Sequence, residues 1–207
     1  MTEHPVPEHP VPDDLPPGNW HHAPRARIEP AAPDTLGLTA RLVLRVIRRR
    51  TRAPRDYNVF RTLARLGGIF PAHAVFLSQI LLRGRLPVAE KELVILRVAW
   101  RQGCVYEWSL HSPMATAAGV PEHHKRAAAT ESPRFDDPRL HALVEATDEI
   151  LASGTLTDAS WSALLGHCTP DEALELCMLI GHYVMVAFTL NTVGVQLDRQ
   201  PAGEPAA

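Results

Sequence analysis

The sequence predicts an all-α fold, and three observations lead to this prediction. Apolar residues recur at helical spacing in successive segments, as Leu38, Leu42 and Val46 do in the first of them. Glycines such as Gly84 and Gly154 stand where these segments stop, as they commonly do at the ends of helices. Strand-like alternation of apolar and polar residues between turn signals is absent from the sequence.

The composition is that of an ordinary globular chain with one domain. Its 207 residues are 45% hydrophobic and 21% charged, which allows one sizeable core and leaves little room for a second. The net charge of -2 gives no preference for nucleic acid or an anionic membrane, so neither is expected as a partner. The cysteines, Cys104, Cys168 and Cys177, lack a disulfide-framework spacing and are expected to be reduced. Since the N-terminus shows no secretory pattern, the expected location is cytoplasmic.

Residues 1–34 are predicted to be a tail that is extended or disordered. Nine of the 19 prolines fall there, and the sequence EHPVP at residues 3–7 is repeated at residues 8–12. Proline removes a backbone donor and fixes φ, so such a segment forms neither a helix nor a strand ladder. Trp20 and the two histidines after it are expected to pack on the domain or on a neighbouring subunit. Residues 199–207 are predicted to be a flexible C-terminus.

Residues 35–57 are predicted to form a basic helix and a linker. The apolar spacing ends in three arginines at positions 48–50, and Arg52 and Arg55 follow them. Cations at the C-terminal end of a helix complement its dipole and face water, which is the preferred interpretation. A patch for nucleic acid or a membrane surface is the alternative.

Residues 58–198 are predicted to be one helical domain. Its longest helix has a strong start signal at residues 169–172, where an N-cap threonine precedes a proline and the third helical position is a glutamate. This helix is expected to end near Val195. Its most apolar run, residues 176–190, is interrupted by His182 and is shorter than the roughly 20 residues that cross a bilayer. We therefore expect a buried core helix.

Three reactive side chains stand at helical spacing in the middle of this domain. Cys104, Glu107 and His111 occupy positions i, i+3 and i+7, so a continuous helix places them on one face. Helical side chains lean toward the N-terminus, so Glu107 is expected between the other two, which stand roughly 10 Å apart. A carboxylate next to an imidazole fixes its tautomer and raises its basicity, which suits general acid/base chemistry. An ordinary surface pair, worth about 0.2–0.5 kcal/mol, has the same spacing.

The same three side chains allow two other interpretations. Cys104, at the predicted start of a helix, is expected to have its thiolate favoured by the helix dipole and opposed by Glu107. All three side-chain types also bind zinc, but a spacing of i to i+7 is too long for one ion unless Pro113 bends the helix. No metal site is therefore predicted.

The residues around this stripe resemble a known family. The segments LPVAEKELVILRVA at residues 86–99 and GCVYEW at residues 103–108, with His111, are similar to the carboxymuconolactone decarboxylase family. Its superfamily also holds the alkyl hydroperoxidase D type. The segments DASW at residues 158–161, LC at 176–177 and GHY at 181–183 resemble its decarboxylase-like branch. The likeness spans about residues 58–197 and implies an alkyl-hydroperoxidase-D-like helical domain, assembled into trimers or hexamers.

The resemblance also implies roles for individual residues. It aligns Cys104 with the first cysteine of the peroxidase Cys-x-x-Cys motif and His111 with the histidine downstream of that motif. Glu92 is aligned with the proton-relay glutamate. The second, peroxide-attacking cysteine is replaced by Glu107, which cannot form a disulfide. The sequence therefore favours the decarboxylase-like branch, in which acid/base residues work without a cofactor, over a dithiol peroxidase with a reductant partner.

Four further residues are predicted to line the substrate pocket, namely Arg97, Tyr106, Trp108 and His182. Arg97 is interpreted either as a clamp for a substrate carboxylate or as a partner of Glu92 or Glu107. His182 interrupts an apolar helix, where a histidine is more often a satisfied residue of the core or of a subunit interface. The match at residues 181–183 favours a place in the pocket instead.

Taken together, these features predict a cofactor-independent acid/base enzyme of carboxymuconolactone decarboxylase type. It would decarboxylate, isomerise or cyclise a small substrate that carries a carboxylate or a carbonyl group. His111 is the main acid/base, Glu107 its orienting residue and Glu92 a second relay group. The alternatives are a thiol peroxidase that uses Cys104, with Cys168 or Cys177 resolving, and a non-catalytic helical oligomer that binds a ligand. A homotrimer or homohexamer is expected.

Overall fold

The computed structural model describes residues 15–198, and within that range the protein is all-α, as predicted. Nine α-helices and no β-strand occur there, with short 3-10 turns at Pro33–Thr35 and Ala64–Leu66. The helices are α1 (Leu38–Thr51), α2 (Asn58–Leu63), α3 (Ile69–Leu82), α4 (Val88–Arg101), α5 (Val105–Ala117), α6 (Glu122–Ala128), α7 (Pro138–Ser153), α8 (Asp158–Leu165) and α9 (Pro170–Val193).

Helix α4 forms the centre of the fold. Every residue from position 91 to position 100 is buried, because α5, α6, α7 and α9 pack around this helix. The turn from α4 to α5 requires Gly103, which has a φ of 59° and whose absent Cβ would lie 2.1 Å from the carbonyl oxygen of Asn19. The buried stretch includes Lys91, Glu92 and Arg97, and each of these ionisable groups needs a partner inside the protein.

Helix α9 is the longest helix and packs along α4. It begins at the predicted signal, where Thr169 and Glu172 form a capping box, and it ends at Gly194 in the left-handed conformation. By length and composition α9 is apolar enough to cross a membrane, but half (50%) of its most apolar stretch is buried inside the protein. It also contacts α7 and α8, which is typical of a core helix.

The N-terminal segment lies extended along the helices. Residues 1–14 of the predicted tail lie outside the described range, and residues 15–34 are attached to the domain. The indole N–H of Trp100 donates to the carbonyl oxygen of Pro17 at 2.8 Å, and the amide of His21 donates to that of Gly103 at 2.8 Å. Trp20 packs edge-on against Trp108, with ring centroids 5.6 Å apart. Residues 15–34 are therefore docked on the domain rather than disordered.

Large groups of exposed apolar side chains lie on three helices. Helix α1 turns Ala40 and Leu44 into the core, while its arginines at positions 48–50 face water. The exposed apolar residues are Leu38, Leu42 and Val46 on α1, Ile69, Val75, Phe76 and Leu82 on α3, and Leu174, Met178, Met185 and Phe188 on α9. The positions on α9 fit one face of a helix, so they form a continuous apolar stripe.

Candidate active site

A buried hydrogen-bonded pair joins α4 to α5. Nδ1 of His111 lies 2.8 Å from Oε2 of Glu92, and the two side chains are only 7% and 5% exposed. Glu92 lies in the buried stretch of α4, so its carboxylate reaches His111 across the helix pair. The prediction that Glu107 orients His111 is therefore wrong. His111 turns away from its neighbour one turn earlier on α5 and bonds to Glu92, which fixes the orientation of its ring.

Glu107 is a second buried carboxyl group, in a different environment. Its Oε2 is shielded from solvent and has no hydrogen-bond partner among the described residues. Burial raises the pKa of Glu107 well above its usual range. Burial therefore favours the protonated form of this side chain, which is able to donate a proton.

Cys104 is the N-cap residue of α5, so the predicted helix start is in place. Its thiol is fully buried, and this burial, with a further contribution from the Glu107 carboxyl, raises the thiol pKa well above its usual value. Hydrogen bonds from the backbone N–H groups of Glu107 and Tyr106 lower the thiol pKa, but their effect is smaller than that of burial. The expected stabilisation of the thiolate by the helix dipole is therefore outweighed by desolvation.

Tyr183 of α9 brings the two carboxyl groups into one site. Its ring meets that of His111 edge-on, with centroids 5.1 Å apart and planes at 87°. Burial, followed by the charges of Glu107 and Glu92, raises the pKa of Tyr183 well above its usual value. Both carboxyl groups therefore act on the same tyrosine, and the site lies where α4, α5 and α9 converge.

His182, next to Tyr183, faces α3. Its ring stacks on that of His73, with centroids 5.0 Å apart and planes at 23°, and it lies 5.2 Å from the ring of Phe76. Burial, followed by the nearby His73 and His111, lowers the pKa of His182 to about 4, and burial also lowers the pKa of His73. The sequence singled out neither His73 nor Phe76. The only signal was a histidine within the apolar α3.

Arg97 does not belong to this site. Its Nε and Nη2 donate to the two carboxylate oxygens of Asp148, each at 2.7 Å. Its Nη1 donates to the carbonyl oxygens of Ala128 and Thr130, at 2.7 and 2.6 Å. The interpretations of Arg97 as a substrate clamp or as a partner of the site carboxylates are therefore wrong, because its guanidinium is held by α7 and the loop after α6.

Tyr106 and Trp108 also point elsewhere. The hydroxyl of Tyr106 donates to Asp198 and accepts from the amide of Val59, and Trp108 packs against Trp20. Both therefore support neighbouring segments, which does not agree with the predicted places in a shared pocket with His182. A surface cavity of about 300 Å³ lies beside Asn58 and Asp198, and none of the site residues above lines it.

The histidine, cysteine and carboxylate side chains of the site are not arranged as a metal centre. Within residues 15–198, no three side chains of histidine, cysteine, aspartate or glutamate are grouped so that they could hold an ion. The three cysteines are free, and Cys168 lies in a different hydrophobic cluster from Cys104.

Comparisons with known proteins show a partial match to one family and a fold shared with solved structures. Residues 72–149, which include the buried pair Glu92 and His111, match the model of the carboxymuconolactone decarboxylase family. An AhpD-core, peroxidase-related protein from Ralstonia eutropha has the same fold at 20% identity, with a TM-score of 0.75 over 84% of this chain and 92% of that one. Over these residues the chain is similar to the carboxymuconolactone decarboxylase family, and its fold is that of AhpD-like proteins.

Two further proteins with similar structures carry different names. A peroxidase-related protein from a Silicibacter species is 15% identical, with a TM-score of 0.67 over 94% of each chain. The debrominase Bmp8 in its apo form is 16% identical, with a TM-score of 0.70 over 83% of this chain and 91% of its own. No curated protein matches the sequence. These distant similarities establish a shared fold.

Proposed function

We propose that this protein is a cofactor-independent acid/base enzyme that moves protons on a small carbonyl-bearing substrate. The observation that carries the proposal is the buried pair of Glu92 and His111, 2.8 Å apart, beside a second carboxyl group in an apolar environment. An imidazole bonded to one carboxyl group, together with a second carboxyl group whose pKa is raised by burial, suits general acid/base catalysis.

In this proposal His111 is the general base. Its Nδ1 is engaged by Glu92, and its Nε2 has no hydrogen-bond partner among the described residues, so Nε2 faces the substrate. The carboxylate of Glu92 holds the ring as the tautomer that carries its proton on Nδ1 and stabilises the imidazolium that forms when Nε2 takes a proton. Glu92 is thus an orienting residue as well as a proton-relay group.

Glu107 is the general acid. As a neutral carboxylic acid it can protonate the oxygen of an enolate while His111 removes the proton from the neighbouring carbon. In an isomerisation the proton taken by His111 returns to another carbon of the conjugated system, so the reaction is balanced without an oxidant or a reductant. In a decarboxylation the bond to the carboxylate breaks, its electrons enter the conjugated carbonyl, and one proton is added to carbon. In a cyclisation an enolate carbon or oxygen attacks within the substrate.

A thiol peroxidase that uses Cys104 is the second candidate, because two structural neighbours are peroxidase-related proteins. Its chemistry needs a thiolate, whereas the Cys104 thiol is buried and its pKa is raised. It also needs a resolving thiol, and Glu107 stands in that position. These features support the acid/base enzyme over the peroxidase. A non-catalytic binding protein is disfavoured by the convergence of ionisable groups on Tyr183.

The proposed assembly is a homotrimer or homohexamer. The stripe on α9 and the exposed apolar residues of α3 form surfaces that a single chain leaves in water. A cytoplasmic location stays a prediction.

The proposed function is tested by proton exchange. The protein is incubated in D2O with a panel of enolisable ketones, enones and β-keto acids, and the loss of the α-proton signals is followed by NMR. Enzyme-dependent exchange that disappears in His111→Ala and persists in His123→Gln, a variant of an exposed histidine on α6, is the expected result. Exchange that is unchanged in His111→Ala, or hydroperoxide turnover with a disulfide at Cys104 seen by mass spectrometry, would overturn the proposal.

A further inference from the structure

A pair of imidazoles adjoins the catalytic pair on the side of α3. His73 and His182 stack on each other, and Phe76 covers the ring of His182. All four ring nitrogens are shielded from solvent, and none has a hydrogen-bond partner among the described residues. Two neighbouring histidines are thus buried with their hydrogen-bonding capacity unused.

Unused buried polar atoms are unfavourable for the fold. Each is less favourable than a hydrogen-bonded group, and native structures contain few of them. Phenylalanine or leucine at positions 73 and 182 would fill the same space between α3 and α9 without this penalty. The interpretation of His182 as a core histidine with hydrogen-bonded ring nitrogens therefore fails, because neither nitrogen has a partner among the described residues. A ligand that takes up these hydrogen bonds accounts for both rings.

The two rings lie next to the catalytic group. Tyr183 contacts His182 on one side, with centroids 5.2 Å apart, and His111 on another, with centroids 5.1 Å apart. The charge of His111 also acts on His182. A small molecule held by the imidazole pair would therefore have its reacting carbon near His111.

The charges around the site limit what that molecule can be. Glu92 and Glu107 both face Tyr183, and a buried carboxylate substrate beside them would need a cation. Each buried cation of the described residues is already engaged by the protein. Arg97 binds Asp148 and two carbonyl oxygens, Lys91 donates to the Ile80 carbonyl oxygen and lies 3.8 Å from Glu175, and Lys125 binds Glu122, Ser112 and Thr116.

We infer that His73 and His182 bind the carbonyl end of an uncharged, planar substrate on which Glu92 and His111 act. In each neutral imidazole one nitrogen donates to the carbonyl oxygen, and the other accepts from a hydroxyl or amide group of the same molecule. The stacked rings of His73 and His182, with Phe76 against His182, suit a conjugated, flat body. The inference rests on the proposed function and narrows it, because an uncharged substrate favours isomerisation or cyclisation over decarboxylation.

The test uses isosteric probes that differ in charge. Uncharged benzamide and cyclohex-1-enecarboxamide are compared with benzoate and cyclohex-1-enecarboxylate at pH 7, and the imidazole nitrogen signals of His73 and His182 are followed by NMR in the full-length protein. We expect at least one uncharged probe to shift the signals of both rings and to bind at least ten times more tightly than its charged counterpart. Tighter binding of the carboxylates, or no shift at these two rings with any of the four probes, overturns the inference.

Matched variants separate binding from folding. His73→Phe and His182→Phe keep the volume of the side chains and are expected to weaken the bound probe at least tenfold with an unchanged circular dichroism spectrum. His73→Gln, which keeps a donor and an acceptor, is expected to restore part of the affinity. His123→Gln is the control and should bind like the native protein. Native affinity in both phenylalanine variants contradicts the inference, and if His182→Phe fails to fold, His73→Phe alone decides.

The proton-exchange assay distinguishes this inference from the proposed function. If exchange depends on His111 but is unaffected by His73→Phe and His182→Phe, the imidazole pair does not hold the substrate and only the inference fails. If the uncharged probes bind at the two rings but no exchange depends on His111, the binding site stands and the proposed function fails.

Discussion

Arg97 and Glu92 lie on the same buried helix, yet their side chains belong to two polar clusters that differ in how completely they are hydrogen-bonded. The guanidinium of Arg97 is matched by Asp148 and two carbonyl oxygens, so the donors at each of its three nitrogens are used. The cluster around Glu92 leaves an oxygen of Glu107 and both nitrogens of His182 without partners. A satisfied cluster stabilises a fold, whereas an unsatisfied one is retained for its chemistry. The number of hydrogen-bond partners thus distinguishes Arg97, which is structural, from the groups around Glu92, which are proposed to be catalytic.

The largest expected effect is on catalysis, in the unsatisfied cluster. Replacing His111 by Ala or Glu92 by Gln should lower the rate of proton exchange by roughly 10² to 10⁴, because the base or its orienting partner is lost. Because the two residues act as a unit, the double variant should be little slower than the slower single variant. Initial rates of all three variants measure this. Strictly multiplicative effects would show that Glu92 and His111 act separately.

The next effect is on stability, in the satisfied cluster. Arg97→Met should lower the free energy of unfolding by about 3 kcal/mol, because Asp148 and two carbonyl oxygens lose their buried partner. His182→Phe should leave stability equal or higher, since it removes unpaired nitrogens. Urea unfolding of both variants tests the contrast. The matched control is Arg101→Met, whose more exposed arginine lies 3.8 Å from the same Asp148 and should matter by less than about 1 kcal/mol. A stable Arg97→Met protein would remove the distinction between the clusters.

A smaller effect concerns pH and Glu107. Its pKa is raised above the usual 4.5 in the folded protein, so above pH 4.5 the folded state holds a proton that the unfolded state has lost. The resulting contribution to stability is complete below that pH and declines as the pH rises toward the raised value, by at most about 1.4 kcal/mol per unit.

Glu107→Gln removes this titration, so its unfolding free energy should fall less steeply between about pH 5 and pH 8 than that of the native protein. Urea unfolding at several pH values measures the two slopes. The exposed Glu131→Gln is the control and should keep the native slope. Equal slopes in the native and Glu107→Gln proteins would mean that Glu107 is ionised when folded.

The smallest effect is expected at Cys104. Cys104→Ala should change the proton-exchange rate by less than about tenfold, because in the proposed function the buried thiol only fills space beside Glu107. Its stability should fall by roughly 1 kcal/mol through the small cavity that is left. Rates and urea unfolding measure both quantities. An inactive Cys104→Ala beside an active His111→Ala would reverse the comparison and favour the thiol peroxidase.

The sequence predicted the helices and the resemblance to a known family far better than it predicted which side chains bond to one another in the site. Local signals such as the capping box at Thr169 and the glycine after α7 act within a few residues, and they were confirmed. The partner of His111 depends on how α4 and α5 pack, and a spacing of four residues within α5 favoured Glu107 instead. Helical periodicity describes the faces of one helix. It does not indicate which side chains of a neighbouring helix lie within contact distance.

His73 and Arg97 show the same limit. His73 stands in an apolar helix without a motif, and only the packing of α3 on α9 brings it to His182. Arg97 lies inside the family-like segment, yet its partner Asp148 is 51 positions away on α7. Both roles depend on contacts between residues distant in sequence, which the hydrophobic pattern of each segment does not specify.

The docked N-terminal segment has a consequence for the order in which this chain folds during synthesis. The amide of Arg27 donates to the carbonyl oxygen of Val193 at 2.8 Å, and the amide of Gln196 reaches the carbonyl oxygen of Ala23 at 3.0 Å. Val193 and Gln196 emerge from the ribosome near the end of synthesis. At about 5–20 residues per second, this is roughly 10–30 s after the N-terminal segment has emerged. Residues 23–27 are therefore made early and fastened late, whereas the partners of Pro17 and His21, namely Trp100 and Gly103, are available midway through synthesis.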